Sequence, residues 1–272
     1  MRKLLLFIIL AALPSWAGVT YTAVTRTILG SKNQSGDFRV RGWVSGSHAR
    51  MEFLKSELPE IQTGTYLVSS DGGDTVYLVN PAEKTFTRWD VNGMVHNMAD
   101  MMRTFRGQMK VRFEEPKVEK LLEEAGPEMQ GLPTRHFRYR TSYKATLGDT
   151  ETIATVMDED IWTTSAIQEP GVKAFLDKRP TTGDEQLDRI LNAEMSKVPG
   201  FPLKRTTSTQ TQTHKQTTVT RSEMEIVELK NVDTPETMFA VPKGFTEVDD
   251  QEPTLDQALR KLEKKQREKD AH

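Results

Sequence analysis

The side chains that most often carry chemistry are few and scattered in this chain. Its five histidines are His48, His96, His136, His214 and His272, and no two share a metal-ligand spacing. A zinc site needs three or four His, Cys or carboxylate ligands converging on one point. The chain has no cysteine, so a thiolate nucleophile, a thiolate ligand and a disulfide are all excluded. Neither a Gly-x-Ser-x-Gly elbow nor a phosphate-cradling glycine loop occurs. Asp71 and Asp74 offer oxygens that suit calcium, but a tight turn around Gly72-Gly73 explains them fully. The run Asp158-Glu159-Asp160 reads as a solvated turn at a strand entry. These residues point to a protein that is not an enzyme and that needs no cofactor and no metal. A hydrolase with a dispersed Ser-His-Asp set is the weakest of the readings left open.

The residues suited to binding are apolar. Val91, Met94, Val95, Met98, Met101, Met102 and Phe105 fall at intervals of three and four, which is one stripe of a helix. Asp90 suits its N-cap, Trp89 and Met94 suit a hydrophobic staple, and Gly107 suits its end. Methionine is flexible and polarizable and adapts to varied apolar shapes. Set over a sheet, Met94, Met98, Met101, Met102 and Phe105, with Trp43 and Trp89, would line a lipid-sized hollow. The plain alternative is ordinary core packing.

The elements that must hold those residues are mostly strands. Residues 19–29 are rich in Thr, Val and Tyr, and residues 38–44 alternate, with Phe38, Val40 and Val44 on one side and Arg39 and Arg41 on the other. Gly46-Ser47 and Gly72-Gly73 suit tight hairpin turns. Asn80-Pro81 stops a strand because proline cannot donate to the ladder. Residues 117–124 read as a short helix, 135–147 and 150–164 as a long hairpin, and 165–202 as a helical excursion with Leu187, Ile190, Leu191 and Met195 on its apolar side. Residues 203–230 read as a Thr-rich hairpin whose tip stands in water. The expected domain plan is a leader over residues 1–17, one sheet domain over 18–250 with helical insertions near 90–106 and 165–202, and a charged helical or disordered tail over 251–272.

Residues 1–17 have the layout of a secretory leader: Arg2 and Lys3, then an apolar run over 4–13, then Pro14-Ser15-Trp16-Ala17 with small residues at the cleavage positions. The apolar run is about half of the roughly 20 residues a bilayer span takes. Cleavage after Ala17 places the protein in the periplasm or outside the cell, with no stable membrane insertion. The chain's formal charge of -2 becomes about -4 once Arg2 and Lys3 are removed. Nucleic-acid binding relies on a basic face, so nucleic acid is not an expected partner.

Two stretches carry a family resemblance. The run from Leu67 through Ser69-Ser70-Asp71-Gly72-Gly73-Asp74 to Asn80-Pro81, then Thr85-Phe86-Thr87, resembles the hairpin and strand-ending proline of periplasmic lipoprotein carriers. Phe239-Ala240-Val241-Pro242-Lys243-Gly244-Phe245 resembles their closing strand. Gly42-Trp43-Val44, Ala49-Arg50, the Met-rich segment and the run Ala193-Glu194-Met195 through Pro199-Gly200-Phe201-Pro202 are similar to an uncharacterised family of exported bacterial proteins related to that fold. The resemblance implies a mainly β protein with some α: a strongly curved antiparallel sheet, half a barrel, with helices on its concave side. It implies a cavity for acyl chains and an inward arginine, for which Arg50 is the nearest candidate. Two functions stay open. One is an exported, non-enzymatic protein that binds an apolar ligand, a lipid, or a lipidated or envelope partner in the concave sheet. The other is a structural or protein-interaction module with a packed core and no ligand cavity.

Overall fold

The structure, a computed structural model, describes residues 18–29, 34–56, 62–89, 112–147, 151–168, 188–189, 192–193, 197 and 199–248. Its strands are β1 (Val19–Leu29), β2 (Gln34–Ser45), β3 (His48–Lys55), β4 (Tyr66–Ser69), β5 (Val76–Asn80), β6 (Thr85–Trp89), β7 (Arg112–Ala125), β8 (Arg135–Leu147), β9 (Glu151–Thr164), β10 (Phe201–Gln212), β11 (Thr217–Asn231) and β12 (Thr246–Glu247), with one 3-10 turn, η1 (Glu236–Phe239). All twelve strands form one open sheet in the order β12-β6-β5-β4-β3-β2-β1-β11-β10-β9-β8-β7.

Local chemistry sets the hairpins. Gly46 turns β2 into β3 at φ 55°, and Gly72 and Gly73 turn β4 toward β5 at φ 74° and 87°. These left-handed angles cost a glycine little and other residues more. The long-range step is β1 against β11, which places Val19 opposite Asn231. That pairing joins the meander β1–β6 to the meander β7–β11.

Alternation divides the sheet into two faces. Directly opposite residues of an antiparallel pair share a face, so Phe38, Val40, Phe53, Leu67 and Leu78 stand together. We call this the apolar face. The other face carries Arg39, Arg41, Arg138, Asp160 and Glu223 along its middle. The period-two pattern read from residues 38–44 is the same alternation seen in space.

The expected helices on a concave side do not occur among the described residues. Among the described residues no helical element beyond η1 occurs, and the strands make one open sheet rather than a helix-plugged half-barrel. Asp188, Arg189, Asn192 and Ala193 have helical backbone, and most of the excursion expected over residues 165–202 lies outside the described residues. The stripe over residues 90–106 lies outside the described residues. The short helix expected at 117–124 is strand in β7. Its residues are good helix formers, yet pairing along β8 overrides that weak preference. Two register shifts, at Glu114/Lys117 and Lys120/Leu122, absorb the mismatch.

The Thr-rich hairpin is central, not an edge: β10 pairs with both β9 and β11, and β11 with both β10 and β1. The long free edge is β7. It carries Glu114, Glu115, Pro116, Lys117, Glu119, Lys120, Glu123 and Glu124, and charges, proline and bulges at an edge oppose pairing with another chain.

Gly42 marks the tightest packing in β2. A Cβ there would lie 2.2 Å from Cζ of Tyr21. Tyr21 packs edge-on to Phe201 at 5.4 Å between ring centroids, and burial pushes its phenol pKa up to about 12. The ring has little room to yield. Gly42→Ala is therefore expected to lower stability by about 1–3 kcal/mol, the usual penalty of overpacking. A urea unfolding midpoint indistinguishable from the parent would contradict this.

Candidate apolar binding face

The apolar face is built from short rows across the sheet. Val40 sits between Ala23 and Phe53, Met51 faces Leu67, and Leu67 faces Leu78. Phe53, Leu67 and Val76 are buried, and Phe38, Val40, Met51 and Leu78 are half-buried around them. Phe38 meets Phe53 edge-on at 6.4 Å. Toward the other end the face continues through Ala23, Ile226 and Leu203 to Phe137 and Ile161. There it is filled: Met129, Leu132 and Ile167 pack on Leu203 and Ile226, and Gln130 Nε2 donates to the Ile226 carbonyl at 3.1 Å.

Cover at the β2–β6 end lies on the opposite face. Phe239 of η1, with Met238, Val241 and Phe245, packs on Tyr66, Val68, Val79, Trp43 and Tyr77. Trp43 and Arg50 are brought together here. The Arg50 guanidinium lies 3.5 Å from the centroid of the Tyr66 ring and 5.6 Å from that of Trp43. Its Nη1 donates to the Met238 carbonyl at 3.3 Å, and Glu52 lies 3.6 Å away. Burial raises the Tyr66 phenol above its ordinary range, and Arg50 pulls against that rise. Arg50 thus ties the C-terminal segment to the sheet, on the face away from Phe53. Trp89 ends β6 in register with Val76. Met94, Met98, Met101, Met102 and Phe105 lie outside the described residues.

The sequence reading missed a buried charge cluster. The Asp158-Glu159-Asp160 run lies within β9, not in a solvated turn. Asp158 and Asp160 point outward, where they pair with Arg140 (2.7 Å) and Arg138 (2.8 Å). Glu159 points to the apolar face and is fully buried. It meets Lys197 Nζ at 3.2 Å and Arg205 Nε at 2.6 Å. Lys197 also donates to Thr141 Oγ1 at 2.7 Å, and Tyr139 donates to the Lys197 carbonyl at 2.7 Å. The available signal was phase. Glu159 is two residues from Ile161 and falls in step with it.

The other chemistry-bearing groups have local roles. The carboxylate of Asp71 accepts from Ser69 Oγ and the Thr75 amide, both at 2.9 Å, as a tight turn requires. His136 stacks on Trp162 at 4.5 Å, with its ring nitrogens facing Asp160 and Glu124 at 2.6 and 3.2 Å. Among the described residues no group of three or more His, Asp or Glu could hold a metal, and no helix is long and apolar enough to cross a membrane.

The model of the domain-of-unknown-function family DUF4412 matches residues 31–245. The chain belongs to this family. The match bears out the resemblance to an uncharacterised family read from the Gly-Trp-Val and Ala-Arg motifs. No curated protein matches this DUF4412 chain. Among solved structures it is similar to an outer membrane lipoprotein-sorting protein domain from Vibrio parahaemolyticus, at 14% identity over 83% of this chain and 90% of that one. The TM-score is 0.32, at which the likeness carries no argument about this chain.

Two outcomes are expected. Glu159→Ala leaves Lys197 buried without its carboxylate, so it should cost about 3–5 kcal/mol. Urea unfolding measures this, and a loss below ~1 kcal/mol would refute it. For Asp71, burial raises its pKa, but the hydrogen bonds from Thr75 and Ser69 outweigh that and hold it below the ordinary 3.8. A carboxyl depressed in the folded state stabilises fully above its unfolded pKa, and that stability is lost as pH falls through the folded value. Asp71→Asn should therefore flatten the acid limb of the stability–pH curve below 3.8. An unchanged limb would count against the assignment.

Proposed function

We propose that this protein is an exported, non-enzymatic binding protein that takes an apolar ligand, an acyl chain above all, on its apolar sheet face. The same face would receive the lipid of a lipidated envelope partner. The carrying observation is the patch of half-buried Phe38, Val40, Met51 and Leu78 around Phe53, at the end of the sheet where the C-terminal cover sits on the other side. Apolar side chains left partly open on a sheet suit a ligand that contributes its own methylenes. At ~0.8 kcal/mol per buried methylene, ten methylenes supply about 8 kcal/mol, enough for micromolar binding before the costs of ordering. Trp89, in register with Val76, and Met94, Met98, Met101, Met102 and Phe105 belong to the proposal as further lining. The leader-like first seventeen residues support export, and the near-neutral charge supports a partner that is not nucleic acid.

The rival reading, a packed interaction module, draws on the filled β8–β10 end, where Ile161 and Leu203 have no exposure at all. One titration separates the two. Delipidated protein lacking residues 1–17 is titrated with a fluorescent fatty-acid probe. Saturable binding that weakens at least tenfold in Phe38→Glu and Met51→Glu, with unchanged circular dichroism, is the expected result. Absence of saturable binding overturns the proposal in favour of the packed module.

A further inference from the structure

The face opposite the apolar one carries a groove of about 300 Å³ over β10, lined by Arg26, Asp158, Asp160, Thr206, Ser208, Arg221 and Glu223 among others. Strand register explains it. One row across the sheet runs Arg138, Asp160, Thr206, Glu223, Arg26, and the next runs Arg140, Asp158, Ser208, Arg221. Each row has a short hydroxyl side chain on β10 and long charged ones on both sides. The hydroxyls make the floor and the charged side chains the walls.

The charges in this groove are not all engaged in ion pairs, although Arg26 stands in register between Glu223 and Asp37. Each of its three carboxylates is held by a cation on a neighbouring strand. Asp158 pairs with Arg140 at 2.7 Å, Asp160 with Arg138 at 2.8 Å and with His136 at 2.6 Å, and Glu223 with Lys204 at 2.7 Å. The hydrogen bond from Arg140 holds the Asp158 carboxyl below its ordinary range, and that to Glu223 raises the Lys204 ammonium. Arg26 and Arg221, by contrast, have no ion-pair or hydrogen-bond partner among the described residues. Both are exposed. Arg221 lies opposite Ile28, two residues from Arg26, so the two guanidinium groups are diagonal neighbours whose Cβ atoms lie roughly 7 Å apart. Glu225 stands one row beyond, opposite Lys204. The uncommitted groups of the groove are two guanidinium forks and the hydroxyls of Thr206 and Ser208.

We propose that this groove binds a phosphate group, gripped by Arg26 and Arg221 and seated on Thr206 and Ser208. Two uncommitted forks match an acceptor-only, doubly charged ligand, because guanidinium binds phosphate oxygens in pairs. The site is on the other face from the proposed apolar one and does not depend on it. A free phosphate ester and a phospholipid headgroup share this chemistry, and two arms of one experiment tell them apart.

Protein lacking residues 1–17 is titrated calorimetrically with glycerol 3-phosphate, and separately sedimented with phosphatidylglycerol vesicles and with phosphatidylcholine vesicles. Saturable binding in the first arm marks a soluble ester. Co-sedimentation with the anionic vesicles alone marks a headgroup. In either arm the doubly substituted Arg26→Gln, Arg221→Gln protein should bind at least tenfold more weakly, and Ser208→Glu, which puts a carboxylate on the floor, should not bind. Lys230→Gln, an exposed lysine off the groove, should bind as the parent does. The proposal is overturned if neither probe binds, or if the double variant, with its thermal melt unchanged, binds like the parent.

Discussion

A sheet one layer thick has two faces to keep from water and two edges to keep from other chains, and every notable feature of this protein answers one of those demands. The two faces are covered differently. At the β8–β10 end, Met129, Leu132 and Ile167 lie on the apolar face. At the β2–β6 end, η1 and the residues after it lie on the other face. Neither cover is a regular helix. Both are irregular segments tied down by a few polar contacts, Gln130 to Ile226 in one and Arg50 to Met238 in the other. The edges are protected by composition. β7 presents charge, a proline and two register shifts, while the Thr-rich strands, whose polarity suggests an exposed position, are shielded by neighbours on both sides.

Charge is distributed by the same logic. Outward-facing pairs such as Arg140–Asp158 and Lys204–Glu223 are solvated and contribute little individually. The inward Glu159 is different. Burying a carboxylate is costly unless cations and hydrogen bonds compensate it, and here Lys197, Arg205 and Thr207 converge on it. The cluster fixes the residue at position 197 to the middle of β8–β10. Specific polar contacts do there what bulk hydrophobicity does elsewhere on the same face.

Much of the sheet was legible in the chain because alternation and turn chemistry are local signals. The Gly46 and Gly72-Gly73 hairpins, the strand ending at Asn80, and the pairing of 135–147 with 151–164 all follow from them. Long-range pairing has no local signature, so the junction of β1 with β11 could not be read, and the Thr-rich hairpin looked peripheral. Residues 117–124 misled because their intrinsic preference is helical and their strand state comes entirely from β8. Of the candidate site residues, Trp43 and Arg50 stand together on one face beside η1. Alternation sets the face they occupy, but the cover they meet there comes from η1, nearly 190 residues away, and has no local signal. The Arg26–Arg221 groove was invisible for the same reason: its walls come from strands far apart in sequence.

The β1–β11 seam also sets the order of assembly. Residue 19 finds its partner at residue 231, so the two meanders can each zip up from nearby turns, while their union must wait for almost the whole chain to be available. Contacts of such sequence separation are slow to form because loop closure is costly before any pairing is gained. Until then β1 and β11 each have an unpaired border, and the half-built sheet has sticky margins that the finished one hides.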